Sequence, residues 1–238
     1  MPNLLRLVTW NCYRGAAAAR VNELESFEPT IVAIQECARP TDVEESKAWR
    51  GPNSRQGVFV RATSPYRIDP VKQEVPAEVF VPARVYGPVE FNIVGIWAQP
   101  SSTHPAYVTT LRLGVEALDH FIKAAPTVLI GDMNTARDLS ARNAHMEFVE
   151  MLDAKYGLVS AYHAYFGCEH GKESHPTYYH RRKQEAAFHI DYCFIPQAWA
   201  KSIRKVEVGS FQEWGTRSDH IPLAVELAVP DRATFNSA

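Results

Sequence analysis

The 238-residue chain carries 25 Lys and Arg against 27 Asp and Glu, for a formal net charge of −2, with 46% hydrophobic and 22% charged residues. This is the balance of a soluble globular protein with a core of its own, and at this length one large domain is expected. The charge excludes a protein that coats nucleic acid through a global positive field, and no apolar run reaches membrane-spanning length.

The chain opens with a Leu- and Val-rich run over residues 4–10 that reads as a buried strand. A helical pattern follows, with Ala17, Val21, Leu24 and Phe27 at steps of three and four, stopped by Pro29. Ile31-Val32-Ala33-Ile34 is a second buried strand, so the opening predicts a strand–helix–strand crossover unit. Residues 40–76 are polar and punctuated by prolines, with short strands predicted over 57–61 and 66–69. Clearer strands are expected over 77–86 and 89–98, joined as a hairpin across Gly87-Pro88.

The strongest helix signal covers 105–124, where Val108, Leu111, Val115, Leu118 and Ile122 form one apolar stripe. A strand over 127–130 and a helix over 141–154 come next. The remainder is expected to be mostly β, with strands over 177–180, 188–195, 203–208 and 221–227, and 230–238 as a frayed tail. Composition and periodicity give an α/β or α+β class with a large mixed sheet in a single domain over 1–238.

Cys12, Cys37, Cys168 and Cys193 form no CxxC pair or metal-finger spacing, and read as reduced thiols. The first residues lack the apolar stretch of a signal peptide. A cytoplasmic protein is expected, with no membrane and no protein partner.

The polar residues fall at the ends of the apolar runs. Residues 7–10 lead into Asn11, residues 31–34 into Gln35-Glu36, residues 128–131 into Asp132-Met133-Asn134, and Phe188-His189-Ile190 into Asp191. Ser218-Asp219-His220 stands directly before the closing strand. Each alone has an ordinary explanation: Asn11 as a cap, Glu36 as a solvated acid, Asp132 and Asn134 as an Asx turn, His220 as a structural histidine. A carboxylate beside a buried strand nevertheless needs a partner. All five placements are explained together if the strand ends meet in one cleft. Such a cleft, rich in hard oxygen donors and free of thiolate, suits Mg²⁺ or Mn²⁺ rather than zinc.

Taken in order, Thr9-Trp10-Asn11, Ile34-Gln35-Glu36, Gly131-Asp132-Met133-Asn134, His189-Ile190-Asp191-Tyr192 and Ser218-Asp219-His220 resemble the motifs of the endonuclease/exonuclease/phosphatase superfamily, which includes exonuclease III and DNase I. The resemblance spans residues 9–220. It implies a four-layer sandwich of two mixed β-sheets flanked by helices, and metal-dependent phosphoester hydrolysis by an activated water. Glu36 would be the main metal ligand, with Asn11 and Asp219 beside it. Asp132, helped by Asn134, would orient and deprotonate the water. His220 would donate to a phosphate oxygen, held by Asp191; a base role for His220 stays open.

Many relatives place a His or Tyr contact to the phosphate where this chain has Trp97, which reads either as a single N–H donor or as core filler. The segment ahead of Asp191 sets Tyr178 beside Arg181 and Arg182. These residues read either as a stacking and phosphate-contacting surface or as a solvated hairpin tip. The resemblance implies a nuclease acting on DNA or RNA. The alternatives are a phosphatase or phosphodiesterase for a small molecule or lipid headgroup, and a non-catalytic binding protein of the same fold.

Overall fold

Period-two alternation organises the strands. In β1 (Asn3–Asn11), Leu5 and Leu7 face one side while Val8 and Trp10 face the other, and both sets are fully buried. Burial of both faces requires layers on each side. A computed structural model provides them; it describes residues 3–41, 46–73, 75, 79–100, 103–104, 106–140 and 143–229.

One six-stranded sheet contains β1, β2 (Ile31–Cys37), β3 (Lys47–Asn53), β4 (Gln56–Ala62), β13 (Ile203–Val208) and β14 (Leu223–Val229), in the order β13-β14-β1-β2-β4-β3. The other runs β5-β6-β7-β8-β12-β9 and comprises β5 (Arg67–Pro70), β6 (Phe80–Tyr86), β7 (Phe91–Trp97), β8 (Thr127–Asp132), β9 (Leu158–Ser160) and β12 (Asp191–Pro196). Each sheet has a single parallel pair at its centre, β1 with β2 and β7 with β8, amid antiparallel neighbours. The crossovers run through α1 (Ala17–Glu23) in the first sheet, and through α2 (Tyr107–Ala117) and α3 (Asp119–Lys123) in the second.

Leu5, Leu7, Ile31, Ala33, Ile93, Val128, Ile130, Cys193 and Ile195 form the core between the sheets. The outer face of the second sheet packs Val94, Ile96, Leu129 and Phe194 under α2, α3 and α4 (Ala144–Tyr156), through Leu111, Val115, Ile122 and Phe148. The outer face of the first packs Val8, Trp10, Val32 and Ile34 against Ala17, Leu24 and Trp214. These are the four layers expected from the sequence motifs.

Several local expectations change. The helix expected over 105–124 is two helices with a break at Leu118, whose φ of −96° and ψ of 10° leave helical geometry. Its residue 105 lies outside the described residues, as do 77–78 of the strand expected over 77–86, 141–142 of the next helix, and 230–238. β3, in a stretch read as polar loop, pairs with β4 at the sheet edge, where Pro52 displaces no interior ladder bond.

The expectation that the remainder is mostly β misses α5 (Ala161–Phe166) and α6 (Phe211–Trp214), each too short to show a helical period. The strand expected over 188–195 is broken at His189-Ile190. A short ladder of β10 (Tyr178–Tyr179) and β11 (Ala187–Phe188) precedes the break, and β12 follows it. All four cysteines are free, and burial pushes the Cys12 thiol up to about 12.

Gly131 sits in β8 at a φ of +146°, where a methyl group would collide with the Ile96 carbonyl oxygen of β7. Gly131→Ala is therefore expected to destabilise the fold by about 3 kcal/mol, combining overpacking with backbone strain. Urea unfolding checks this; a change below about 0.5 kcal/mol would show that β7 and β8 part without penalty.

Candidate active site

The inner-facing stripes of the central strands stop being apolar at one common edge. Leu5 and Leu7 are followed on that face of β1 by Thr9 and Asn11, Ile31 and Ala33 of β2 by Gln35, and Val128 and Ile130 of β8 by Asp132. β12 runs the other way, so its inner stripe begins at this edge with Asp191, which pairs in register with Asp132. β14 is antiparallel to β1, and Asp219 and His220 just ahead of it come to the same place. This edge is at the carboxyl ends of both parallel pairs, where open α/β sheets commonly bind ligands.

Asp132, wholly buried, accepts the backbone N–H of Asn134 on Oδ1 at 2.9 Å. Its Oδ2 takes the amides of Asn11 at 3.0 Å and Asn134 at 3.1 Å. Burial pushes its carboxyl up to about 7, against the opposing pull of His220. His220 lies 2.9 Å through Nδ1 from Asp191 Oδ2, and its Nε2 faces Asp132 Oδ2 at 3.8 Å. Burial alone would lower the His220 pKa, but the charges of Asp191 and Asp132 and the Asp191 hydrogen bond override it and raise it to about 9. The imidazole is thus a cation held between two carboxylates.

The supports around this pair are short and buried. Thr177 Oγ1 accepts the N–H groups of Ile190 and Asp191, each at 3.0 Å. Ser218 Oγ donates to the Asn11 carbonyl at 2.7 Å and accepts from His220 N. Trp10 Nε1 donates to the His220 carbonyl at 3.0 Å. Asp191 Oδ1 is buried with no hydrogen-bond partner.

Simple alternation would send Glu36 outward with Ile34. A register shift between Ile34 and Cys37, with Glu36 at a φ of +59°, turns it into the edge instead. There Oε1 accepts from Asn11 Nδ2 at 3.1 Å and Oε2 from Gln56 Nε2 at 3.3 Å. Of the three expected metal ligands, Glu36 and Asp219 are half-buried and Asn11 is buried. Among the described residues, the carboxylate and imidazole atoms at this edge that cluster tightly enough for one ion are those of Asp132, Asp191 and His220.

Trp97 is 6% exposed within the core between the sheets, the placement of a filler residue. Tyr178 is half-buried, its ring 4.7 Å from that of His220 and its backbone bridged to the same residue. Arg181 and Arg182 are exposed on the turn that follows, both at positive φ, and the Arg182 guanidinium lies 5.3 Å over the Tyr13 ring. Sequence reasoning misses Gln56, Tyr13 and Tyr107. The exposed Tyr107 at the start of α2 is near enough to feel the charge of Asp132, which adds to burial in raising its pKa. No periodic signal marks these three; they are placed by tertiary contacts alone.

No family model and no curated protein sequence matches the chain. Solved structures do. An AP endonuclease from Archaeoglobus fulgidus superposes with a TM-score of 0.67 over 94% of this chain and 100% of its own, at 17% identity. AP endonuclease LMAP from Leishmania major gives 0.69 over 95% and 88%, at 13% identity. The chain shares the fold of these AP endonucleases. The 3′ phosphatase NExo from Neisseria, bound to a product DNA hairpin, shares it with a TM-score of 0.64 at 17% identity, over 94% of this chain and 99% of its own.

Asp191→Asn keeps the shape of the side chain and removes its charge. The His220 pKa is expected to fall by roughly 1 to 3 pH units, read from ¹⁵N NMR titration of the ring. In the unaltered protein, His220's contribution to stability is complete below about pH 6.5 and lost as the pH rises through about 9. An unchanged titration in the variant would assign the raised pKa to another source.

Proposed function

We propose that the chain is a single-domain, divalent-metal-dependent phosphodiesterase that hydrolyses DNA by an activated water. The observation that carries the reading is the convergence of Asp132, Asn134, Asp191 and His220 at the edge where both parallel strand pairs end. A structural core needs no such arrangement of buried charge.

The chemistry follows from the protonation states. Asp132, poised near neutrality, holds the attacking water and takes its proton. Asn134 and Asn11 fix the carboxylate through their amides. His220, as the cation, donates from Nε2 to a non-bridging phosphoryl oxygen as charge accumulates there. Asp191 sets the tautomer and keeps the ring charged. Glu36, Asn11 and Asp219 would hold Mg²⁺ or Mn²⁺ through their oxygens, Glu36 being turned inward against its strand's alternation. When bound, the metal supplies Lewis-acid neutralisation of the phosphate.

The DNA assignment draws on the fold shared with AP endonucleases and with NExo in complex with DNA. It also draws on the rim, where Tyr178 offers a stacking face and Arg181 and Arg182 offer cations to a phosphate backbone. Four free thiols fit a reducing, cytoplasmic setting. Among the described residues no helix is long and apolar enough to cross a membrane.

The test is cleavage of end-labelled single-stranded DNA, duplex DNA with and without an abasic site, and RNA, in Mg²⁺ or Mn²⁺ with and without chelator. Chelator-sensitive DNA cleavage is expected, lowered at least about 10²-fold in Asp132→Asn and in His220→Ala. Cleavage confined to RNA would redirect the substrate. Inert wild type on every polymer would move the reading to a small-molecule phosphoester. Glu36→Ala should weaken Mg²⁺ binding in calorimetry; unchanged affinity would remove Glu36 from the ligand set.

A further inference from the structure

Behind the second sheet, on the far side of β12 from the cleft, lies a group of imidazoles that the proposed hydrolysis does not use. His145 comes from α4, His163 from α5, His170 and Glu173 from the loop after α5, and His189 from the break before β12. His145, His170 and His189 are at most 8% exposed, and the side chains of His163 and Glu173 are 9% and 7% exposed. His163 and His170 stack with ring centroids 3.6 Å apart. The Tyr192 ring lies against His145, His163, His170 and His189 and closes the floor.

The hydrogen bonds leave the group incomplete. His163 Nε2 meets Glu173 Oε1 at 2.9 Å, and His145 Nε2 meets His170 Nδ1 at 3.0 Å. Two buried nitrogens, His145 Nδ1 and His189 Nε2, have no partner at all. His189 Nδ1 donates to the His175 carbonyl at 2.9 Å, which fixes its tautomer and leaves Nε2 as a bare lone pair. A backbone carbonyl behind one ring nitrogen and a free lone pair on the other is the usual setting of a metal-ligating histidine.

We propose that His163, His170 and Glu173 bind a zinc ion, with His189 Nε2 as the candidate fourth ligand. One donor atom from each of His163, His170 and Glu173 lies within 4.8 Å of the others. Ligands about 2.1 Å from a tetrahedral zinc are separated by roughly 3.4 Å, so modest side-chain movement brings the donors of His163, His170 and Glu173 onto one ion. Nitrogen donors with one carboxylate select zinc or a neighbouring transition metal over Mg²⁺.

The group is electrostatically ready for a cation. Glu173 supplies a carboxylate, its side chain 7% exposed, with Oε1 facing His163 Nε2 and Oε2 accepting the Gly171 N–H at 2.9 Å. A carboxylate withdrawn from water favours a bound positive ion.

The ion would tie together α5, the loop after it and the segment entering β12. That stretch of chain includes Thr177, which holds the Asp191 backbone, and the Tyr178–Arg182 turn over the cleft. Its role is that of a structural clamp, and the inference stands independently of the proposed hydrolysis.

The test measures the zinc retained by protein stripped with chelator, reloaded with one equivalent and desalted, in the unaltered protein and in His170→Gln, so that an ion held at the cleft is counted equally in both. Close to one zinc per chain is expected, with a higher Tm than the stripped protein. Trypsin should also cleave the stripped form faster after Arg181, Arg182 or Lys183. His170→Gln and Glu173→Gln should each weaken zinc binding at least about tenfold in competition with a chromophoric chelator. Failure of the intact cluster to retain zinc, or retention unchanged in both variants, would overturn the proposal, even with nuclease activity intact.

Discussion

Moving a carboxylate out of water costs several kcal/mol even after the surroundings relax, and one edge of this protein buries two, Asp132 and Asp191, beside a single imidazole. An ion pair at about 4 Å recovers on the order of 4 kcal/mol at the effective dielectric that describes protein sites. One imidazolium therefore offsets about one carboxylate and leaves the second short. Asp191, in hydrogen-bond contact with His220, takes most of the benefit. Asp132 is left with amide and backbone donors, and with a proton affinity raised towards neutrality. The division of labour between two chemically identical side chains thus follows from which of them touches the ring.

The rest of the edge keeps this unequal sharing in place. Thr177, Ser218 and Trp10 occupy backbone groups that would otherwise compete for the three charges. Glu36 and Asn134, both non-glycine residues at positive φ, hold conformations that flanking strands must enforce. The parallel pairs do so from both sheets at once. A one-residue slip of β1, β8 or β12 within its sheet would turn Asn11, Asp132 or Asp191 away from the cleft.

Much of this is legible in the sequence because alternation is. A stripe reading Leu5, Leu7, Thr9, Asn11 announces a buried face that turns polar at one end, and the same holds for Ile31, Ala33, Gln35 and for Val128, Ile130, Asp132. Direction is harder to read. Glu36 is recognisable as an acid at a strand end, but its turn into the cleft depends on a register shift against β4, a strand some 20 residues away. Trp97 follows the alternation of β7 faithfully and so ends in the core. The helix break at Leu118, the six residues of α5, and the positions of Tyr13, Gln56 and Tyr107 are set by what packs around them, and no local period encodes them. The histidine group escapes for the same reason: its members are drawn from two helices, a loop and a strand break.

The antiparallel pairing of β1 with β14 also governs what can be joined to this protein. Asn3 stands opposite Val229 at one end of the ladder, while Asn11 lies at the other, eight residues and roughly 26 Å along the strand. The two ends of the described chain are therefore neighbours on the rim opposite the cleft. A short linker between them would allow the chain to be permuted and reopened elsewhere. A tag, tether or second domain joined at Asn3 or Val229 would start from the rim opposite the cleft.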